Sequence, residues 1–354
     1  MKKQAYILAY QKATNYGAVL QIYALKRVLE KHNLMVKVVD YIPKWMKVTL
    51  KNQPSVMSYV KRKVMNLTFK SFFKRLGLTE KTFYSNSSLC KHLTDGEFYF
   101  VGSDQVWNRN IMKNDPTYFL DFAPNGAKRI GYAISMGNKA LEEPFKSKAY
   151  DLISQFDHLS ARENYVSEFI NEKFPDEEVP VVLDPTLLLD IQDYTEVCDT
   201  KTFKNDFIAV YSAMRDQRLY DLAFHLREIT GLPIVNLGYH YKGPDKHEYF
   251  KGPGNWLNRI KQARYFITNS FHGTVFAILG KSNFFVVPNE NPGQKGLNAR
   301  FIELLDSLDL SSQIVSNKDE LELQLNANVD YSKSFKLLDQ RREISMNYIQ
   351  QALK

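Results

Sequence analysis

Short apolar runs alternate with segments of helical periodicity along most of this 354-residue chain. Ala5–Tyr10 is an apolar run of strand length, and Tyr16–His32 has apolar residues at close to helical spacing. Val36–Tyr41 is a second apolar run. This order of strand, helix and strand predicts a parallel pair of strands joined by a right-handed crossover.

The same alternation continues toward the C-terminus and predicts an α/β protein. Further strands are expected at Glu97–Ser103, Lys128–Ile134, His158–Ala161, Val179–Asp184, Phe207–Ser212, Pro233–Leu237, Tyr265–Ile267 and Asn283–Val287. Further helices are expected at Lys146–Phe156, Glu163–Glu172, Gln217–Thr230, Asn255–Gln262, Asn298–Leu308 and Lys333–Lys354, together with the apolar segment that ends at Gly280.

Asp184-Pro185-Thr186 interrupts the pattern, because the residue before a proline disfavours helix. We place a domain boundary there, with a first α/β lobe over residues 1–185 and a second over residues 186–354. The second lobe includes the C-terminal helix at 333–354. The length of the chain exceeds what one ordinary core supports. Two consecutive lobes predict a ligand cleft between them, at the carboxyl ends of the strands.

Positive charge is concentrated in one segment, residues 41–79. The chain has 47 Lys and Arg against 39 Asp and Glu, and the segment holds nine of the basic residues and no acidic one. Without the segment, 38 basic residues face 39 acidic ones. Five apolar positions in it could line one face of a helix: Val56, Val60, Val64, Leu67 and Phe72. Aromatic residues accompany them at Trp45, Tyr59, Phe69 and Phe73.

Such a basic, aromatic segment suits an anionic surface, which could be a membrane, a lipid-linked glycan or a nucleic acid. A solvated helical insertion packed on the first lobe explains the pattern equally well. Nucleic acid ranks last, and is not expected as a partner, because no recognisable binding module accompanies the charges.

Several classes of protein are disfavoured by what the sequence lacks. Two cysteines, Cys90 and Cys198, are too few for a disulfide framework and lack metal-ligand spacing. No apolar run approaches the ~20 residues of a membrane span, and the N-terminus lacks the h-region of a secretory signal. We expect a cytoplasmic protein without a metal or cofactor. No dinucleotide turn, phosphate loop or nucleophile elbow is present.

The stretch Arg264–Gly280 carries the strongest candidate chemistry. A short apolar run leads through Asn269 and Ser270, which cap helices well, into an apolar helical segment. The N-terminus of a helix offers free N–H groups and the positive end of its dipole to an anion. His272 lies in that first turn and can exchange a proton near neutral pH. A lone histidine in an apolar stretch is more often a core residue, but this position favours a proton donor beside an anion site.

Other candidates come after predicted strands or lie near strand ends. Asp104 could cap the segment after it, or act as the base for an acceptor hydroxyl. Arg162 and Arg300 could be surface arginines, or could bind a carboxylate or phosphate through two parallel hydrogen bonds. Asn269 and Ser270 could be caps alone, ligand contacts, or both in turn.

Five strings resemble the polysaccharide pyruvyl transferase family, in the same order along roughly residues 5 to 310. They are TNYGAVLQIYAL at Thr14–Leu25, VGSDQVWN at Val101–Asn108, Ala161-Arg162-Glu163, Asp184-Pro185-Thr186, and TNSFHGTVFAI at Thr268–Ile278. The resemblance implies a GT-B-like fold of two Rossmann-like lobes with a cleft between them. It also implies transfer of pyruvate from phosphoenolpyruvate to a sugar, as a ketal bridging two hydroxyls.

The resemblance also assigns roles to residues of this chain. The family's catalytic histidine falls on His272 and its acidic residue in the first lobe on Asp104. Substrate contacts would come from the surroundings of these two residues: Asn15, Tyr16, Arg162, Asn269, Ser270, Phe271, Gly273 and Arg300. Members of the family carry Arg-Leu directly before His-Gly, whereas this chain has Ser270-Phe271. Either another arginine replaces that guanidinium, or the donor is held differently.

The implied acceptor is a glycan on a lipid diphosphate at the inner face of the cell membrane, which would give the segment 41–79 a partner. Two alternatives stay open. One is a GT-B glycosyltransferase that uses a nucleotide sugar, because the fold alone cannot separate the two activities. The other is a non-catalytic, membrane-associated scaffold that keeps the anion site.

Overall fold

Two parallel β-sheets form the framework of the computed structural model, which describes residues 2–49, 51, 53–137, 141–212, 216–290, 295–325, 327 and 329–354. Contacts divide the chain into two units. The first comprises residues 1–189 and 341–354, and the second residues 190–340.

The first unit has a five-stranded sheet in the order β2-β1-β3-β4-β5, with every neighbouring pair parallel. Its elements are β1 (Lys3–Leu8), α1 (Tyr16–Lys31), β2 (Leu34–Val38), α2 (Val56–Arg75), α3 (Asn86–His92), β3 (Phe98–Gly102), α4 (Arg109–Met112), β4 (Lys128–Ile134), α5 (Phe145–Ile153), β5 (His158–Ala161) and α6 (Asn164–Asn171). A core of buried aromatic and aliphatic side chains packs against this sheet. The all-parallel sheet follows from the alternation of strands and helices in the sequence.

The second unit has a sheet in the order β10-β9-β6-β7-β8, also parallel throughout. Its elements are β6 (Ile208–Tyr211), α7 (Gln217–Thr230), β7 (Ile234–Asn236), β8 (Lys246–His247), α8 (Pro253–Gln262), β9 (Tyr265–Thr268), α9 (Phe271–Leu279), β10 (Phe284–Val286), α10 (Ala299–Ser307), α11 (Lys318–Leu325) and α12 (Tyr331–Ala352). Local signals explain the bounds of α7. Asp216 caps its first amides, and Gly231, at φ 70°, ends it.

The end of α12 belongs to the first unit, whereas the sequence placed the whole C-terminal helix, 333–354, in the second lobe. Ser345 Oγ accepts a hydrogen bond from the Leu183 amide at 3.0 Å, and the Tyr348 hydroxyl donates to the Gly131 carbonyl at 2.8 Å. Arg342 Nε donates to the Leu187 carbonyl at 2.6 Å. The chain therefore passes from the first unit to the second near residue 190 and returns near residue 341.

The strand predicted at Val179–Asp184 is wrong. Only Val181 pairs there, as an isolated bridge to Ala161. Pro180 contributes its carbonyl to the Ala161 amide but has no N–H to donate, so a longer ladder cannot form. The short strand β8 and the helix α11 were not predicted, because neither has a clear apolar period.

A helix in the basic segment is confirmed as α2. Met65, Phe69 and Phe72 are its buried residues. Of the five apolar positions that the sequence placed on one face, Phe72 is buried, whereas Val56, Val60, Val64 and Leu67 are exposed. No helix in the described part of the chain is long and apolar enough to cross a bilayer.

Candidate functional site

The strand order of each sheet reverses at one point, between β1 and β3 in the first unit and between β6 and β9 in the second. Connections leaving the carboxyl ends of such strands diverge to opposite faces of the sheet, and the crevice that opens between them is where parallel α/β sheets bind ligands. Every predicted site residue except Arg162 and Arg300 comes after one of these four strands. The residues form two groups, one in each unit.

In the first unit, β3 ends in a tight turn at Gly102, Ser103 and Asp104. Gly102 has φ 116°, and a Cβ there would collide with the Tyr132 carbonyl oxygen. Asp104 has φ 62°, in the left-handed region that aspartate tolerates better than most residues. The turn therefore presents the Asp104 side chain at the carboxyl edge, in a backbone conformation that is uncommon and often found at functional sites.

Arg162 comes directly after β5 and holds three carboxylates. Its Nη1 donates to Asp184 Oδ2 at 3.0 Å, and its Nε donates to Glu163 Oε1 at 2.9 Å. The same Nη1 lies 3.6 Å from Asp104 Oδ1. The Arg162 side chain is 3% exposed and that of Asp104 is 18% exposed. Asp104 is thus the member of this cluster that solvent or substrate reaches.

Hydroxyl groups complete the cluster. Ser103 Oγ donates to Asp184 Oδ2 at 3.1 Å, and Ser135 Oγ donates to Glu163 Oε1 at 2.9 Å. Asp184 Oδ1 also accepts from the amide and hydroxyl of Thr186. The strings at Val101–Asn108, Ala161-Arg162-Glu163 and Asp184-Pro185-Thr186 are far apart in sequence and therefore meet at one edge of the sheet only in the fold.

Burial lowers the pKa of the Arg162 guanidinium, but Glu163, Asp104 and Asp184 outweigh burial and raise its pKa overall. Arg162 is a fixed cation that orients Asp104 and balances the buried carboxylates. Its geometry favours this positioning role, and direct contact between Arg162 and a substrate stays a prediction.

Asn15 and Tyr16 lie at the start of α1, on the same edge of the sheet. Asn15 Oδ1 accepts a hydrogen bond from the Ala18 amide at 3.1 Å, so it caps the helix. The buried Tyr16 ring stacks on Phe69 of α2, with centroids 5.4 Å apart. Gln21 of α1 accepts from the Ser103 amide at 3.0 Å, which ties this helix to the turn after β3.

In the second unit, Ser270 is the N-cap of α9. Its Oγ accepts from the Gly273 amide at 3.4 Å, and its own amide donates to Thr268 Oγ1 at 3.1 Å. A Cβ at Gly273 would lie 2.6 Å from Thr268 Oγ1, so only glycine allows the first turn to pack this closely on the end of β9. The cap predicted for Ser270 is present.

The Asn269 side chain joins several loops at this edge. Its Oδ1 accepts from Ser212 Oγ at 3.2 Å, and its Nδ2 donates to Asn289 Oδ1 at 3.1 Å and Asp216 Oδ2 at 3.4 Å. Asn298 in turn pairs with the backbone of Asn289 through both atoms of its amide. This network fixes the positions of the loops after β6, β9 and β10 relative to one another.

His272 is buried in the first turn of α9 beside two other candidates. Its ring packs edge-on against Phe271, with centroids 5.1 Å apart. The Arg300 guanidinium lies 5.7 Å from the centroid of the Phe271 ring. The Phe271 ring thus lies near both the imidazole and a guanidinium that belongs to α10. That Arg300 replaces the guanidinium that the family carries at the position of Ser270 stays a prediction.

Sequence reasoning missed Glu163, Asp184, Ser212, Asp216, Asn289 and Asn298 as parts of these networks. The sequence signal that could have found these residues was their position, because most of them come directly after a strand or directly before a helix. Their pairing depends on which strands are neighbours. Among the described residues, no group of three or more His, Cys, Asp or Glu side chains is arranged to hold a metal ion.

Solved structures with this fold include sugar-nucleotide enzymes. An S. aureus MnaA–UDP structure is 13% identical, with a TM-score of 0.53, and the match covers 100% of this chain and 97% of that one. A UDP-GlcNAc 2-epimerase from Methanocaldococcus jannaschii is 11% identical, with a TM-score of 0.50 and 93% of both chains covered. E. coli ADP-heptose LPS heptosyltransferase II is 11% identical, with a TM-score of 0.40 and 98% and 100% covered. At these identities the likeness concerns the fold alone, and the predicted GT-B-like α/β fold is confirmed.

No curated protein sequence matches this chain significantly. A family model described as polysaccharide pyruvyl transferase matches residues 15–291, which include the turns after β3 and β9 and the Arg162 cluster. The match spans more than half of the chain and confirms the resemblance found in the sequence. The chain belongs to the polysaccharide pyruvyl transferase family.

Proposed function

We propose that this protein transfers the pyruvyl group of phosphoenolpyruvate to a sugar of a cell-surface polysaccharide precursor, such as a capsule or exopolysaccharide unit. The product is a pyruvate ketal, and inorganic phosphate is released. The observation that carries the proposal is the placement of His272 in the first turn of α9, at the strand-order reversal of a sheet in a pyruvyl transferase chain.

The start of α9 has the properties that an anionic donor requires. The amides of a helix's first turn and the dipole of the helix favour a carboxylate or phosphate. Gly273 and Thr268 hold that turn close to the strand, and the Asn269 network fixes the surrounding loops. Arg300 adds a guanidinium next to Phe271, which can pair with the donor's carboxylate or phosphate.

The reaction needs one acid and one base in its first half. A proton goes to the methylene carbon of phosphoenolpyruvate, a sugar hydroxyl attacks the neighbouring carbon, and that hydroxyl loses its proton. The phosphate then leaves with the electron pair of its C–O bond. A second hydroxyl attacks the same carbon, closes the ring and passes its proton to the released phosphate. The sum is one ketal and one phosphate from one donor and two hydroxyls.

We assign these proton transfers to two side chains. His272 donates the proton to the methylene carbon or assists departure of phosphate, and Asp104 accepts the hydroxyl proton. Arg162, a fixed cation 3.6 Å from Asp104 Oδ1, keeps Asp104 oriented. The reaction as proposed uses phosphoenolpyruvate as a substrate, with no cofactor or metal.

We place the acceptor sugar on a lipid diphosphate, so that the protein works in the cytoplasm at the inner face of the cell membrane. Residues 41–79, with nine basic residues and no acidic one, would be the part of the chain that meets anionic lipid. The exposed apolar residues of α2 support this assignment.

The test is a measurement of phosphate release from phosphoenolpyruvate over a panel of galactosyl, mannosyl and glucosaminyl acceptors. We expect release only with a matching acceptor, and a loss of at least ~10²-fold in His272→Ala, typical of removing a general acid. His158→Ala is the matched control, since His158 starts β5 at the amino edge of the other sheet. It should retain wild-type turnover.

Three results would contradict the proposal. Acceptor-dependent release of a nucleotide from a nucleotide sugar, with none from phosphoenolpyruvate, would indicate a glycosyltransferase. Wild-type phosphate release in His272→Ala would remove the assigned acid. A protein that binds phosphoenolpyruvate but turns over no member of the panel would fit a scaffold.

A further inference from the structure

α2 exposes an apolar stripe to solvent. Val56, Val60, Val64 and Leu67 are 66%, 47%, 39% and 68% exposed. Their spacing of four, four and three residues places them on one face of the helix. Scattered exposed apolar residues are normal, but a continuous stripe of them on one helix marks an interaction surface.

The opposite face of α2 anchors it to the first unit. Phe69 stacks on Tyr16, and the Phe72 ring lies 6.0 Å from that of Tyr23. Met65 is buried on the same side. The exposed stripe is therefore not an unfinished core face, because the helix already has a packed side.

Basic side chains flank the stripe. Lys63 is three residues after Val60 and four before Leu67, and Lys70 is three residues after Leu67, so both lie beside the stripe. The exposed basic residues of the helix are Lys61, Arg62, Lys63, Lys70, Lys74 and Arg75. With no acidic residue between positions 41 and 79, this surface carries charge of one sign.

We propose that the exposed face of α2 docks on an anionic lipid bilayer, with the four stripe residues inserted at the interface and the lysines and arginines on the headgroups. An apolar stripe bordered by lysines is the arrangement that interfacial helices use, and each basic residue adds electrostatic attraction to anionic lipid. A second copy of this chain is disfavoured as the occupant. Two such faces would bring like charges together, which opposes association.

The anchoring contacts place α2 next to the candidate site of the first unit. Phe69 contacts Tyr16, the first residue of α1, and Asn15 and Tyr16 lie at the carboxyl edge of that sheet. A sugar carried on a lipid would be presented near this edge. That last consequence rests on the proposed function, whereas the docking itself does not.

The experiment is sedimentation of the full chain with vesicles of phosphatidylglycerol and phosphatidylcholine, compared with vesicles of phosphatidylcholine alone. We expect binding to the anionic vesicles that weakens as salt is added. The triple variant Lys63→Gln, Lys70→Gln and Lys74→Gln should bind about 100-fold more weakly, from about fivefold per basic residue. Leu67→Asp should lose roughly tenfold or more.

Matched controls use equally exposed residues elsewhere. Leu323 on α11 is 70% exposed, so Leu323→Asp replaces a similarly exposed leucine with an aspartate at a position outside α2. Lys173, Lys204 and Lys318 are exposed as well, and their change to Gln removes the same charge. Both controls should bind like the wild type. All the substituted residues are exposed, so thermal unfolding should show an intact fold in every variant.

The proposal is overturned if the wild type does not bind anionic vesicles, or if the α2 variants and their controls lose binding equally. Self-association that Leu67→Asp abolishes, without vesicle binding, would identify a second copy as the occupant. Absence of phosphate release would count against the transferase assignment and would leave the vesicle result standing, so the two failures can be told apart.

Discussion

Arg162 Nη1 lies 3.6 Å from Asp104 Oδ1 while the same guanidinium donates to Asp184 and Glu163. The buried arginine thus orients a partly exposed carboxylate and is not itself accessible. This relationship separates two roles that the sequence could not distinguish, since Arg162 could have contacted the donor or supported Asp104.

Arg162→Lys tests this separation. Lysine keeps the positive charge, but its single ammonium group cannot replace the two guanidinium nitrogens that donate to Glu163 and Asp184. We expect kcat to fall at least ~10-fold with the KM for phosphoenolpyruvate unchanged, because Asp104 loses its orientation while the donor contacts remain. Asp104→Asn should lower kcat at least ~10²-fold. Arg129→Lys is the control, because the Arg129 side chain donates to the main-chain carbonyls of Leu120 and Ala123 and to Gln155, at the amino edge of the sheet. A rise in KM without a fall in kcat would mean that Arg162 contacts the donor.

Ser270 caps α9 at the position proposed to hold the donor, and two substitutions separate these roles. Ser270→Ala removes the cap and should cost about 1 kcal/mol of unfolding free energy. Ser270→Asp keeps a capping oxygen but adds a negative charge at the anion site. We expect near wild-type stability and at least a ~10-fold increase in KM for phosphoenolpyruvate. Denaturant unfolding and steady-state kinetics measure the two effects. Ser85 caps α3 with the same 3.4 Å distance to an amide, and Ser85→Asp should change neither quantity. An unchanged KM in Ser270→Asp would leave Ser270 as a cap alone.

Arg300 is expected to supply the guanidinium that the family carries just before His-Gly. Arg300→Lys should raise the KM for phosphoenolpyruvate roughly tenfold, because a lysine cannot bind a carboxylate through two parallel hydrogen bonds. Arg264 is a matched control, since its guanidinium also lies 5.7 Å from an aromatic centroid, that of Tyr265, at the amino end of β9. Arg264→Lys should leave the KM for phosphoenolpyruvate unchanged. Equal effects of the two variants would exclude a specific role for Arg300.

Gly273 allows the close approach of α9 to Thr268. A Cβ at Gly273 would lie 2.6 Å from Thr268 Oγ1, so Gly273→Ala should move the first turn and cost about 1–3 kcal/mol, typical of overpacking. His272 moves with that turn, so turnover should fall as well. Thr268→Ala removes the colliding atom and its bonds to Tyr211 and Ser270. The double variant should be less destabilised than the sum of the single variants. Strict additivity would show that the collision is relieved elsewhere.

Local features of the sequence predicted most elements and the positions of the candidate residues. Helix periodicity, capping residues and apolar runs depend on neighbours along the chain, so α1, α7, β4 and α9 were found close to their observed bounds. The same logic located Asp104 and His272 at strand ends.

The partners of those residues required the tertiary structure. Arg162 and Ser103 both donate to Asp184 only because β3, β4 and β5 are neighbours, and strand order is not encoded in local periodicity. The return of α12 to the first unit depends on a surface near Gly131 and Leu183 that is built by residues far away in sequence.

The basic helix shows the same division. By itself, the sequence indicated a helix with apolar and basic positions from Val56 to Phe72, because propensity and spacing are local, and α2 spans Val56–Arg75. Which apolar positions are buried was decided by tertiary packing. The aromatic side chains of α1 accept Phe69 and Phe72, and nothing in the described part of the chain covers Val60 and Leu67, because burial is a property of what lies opposite a face.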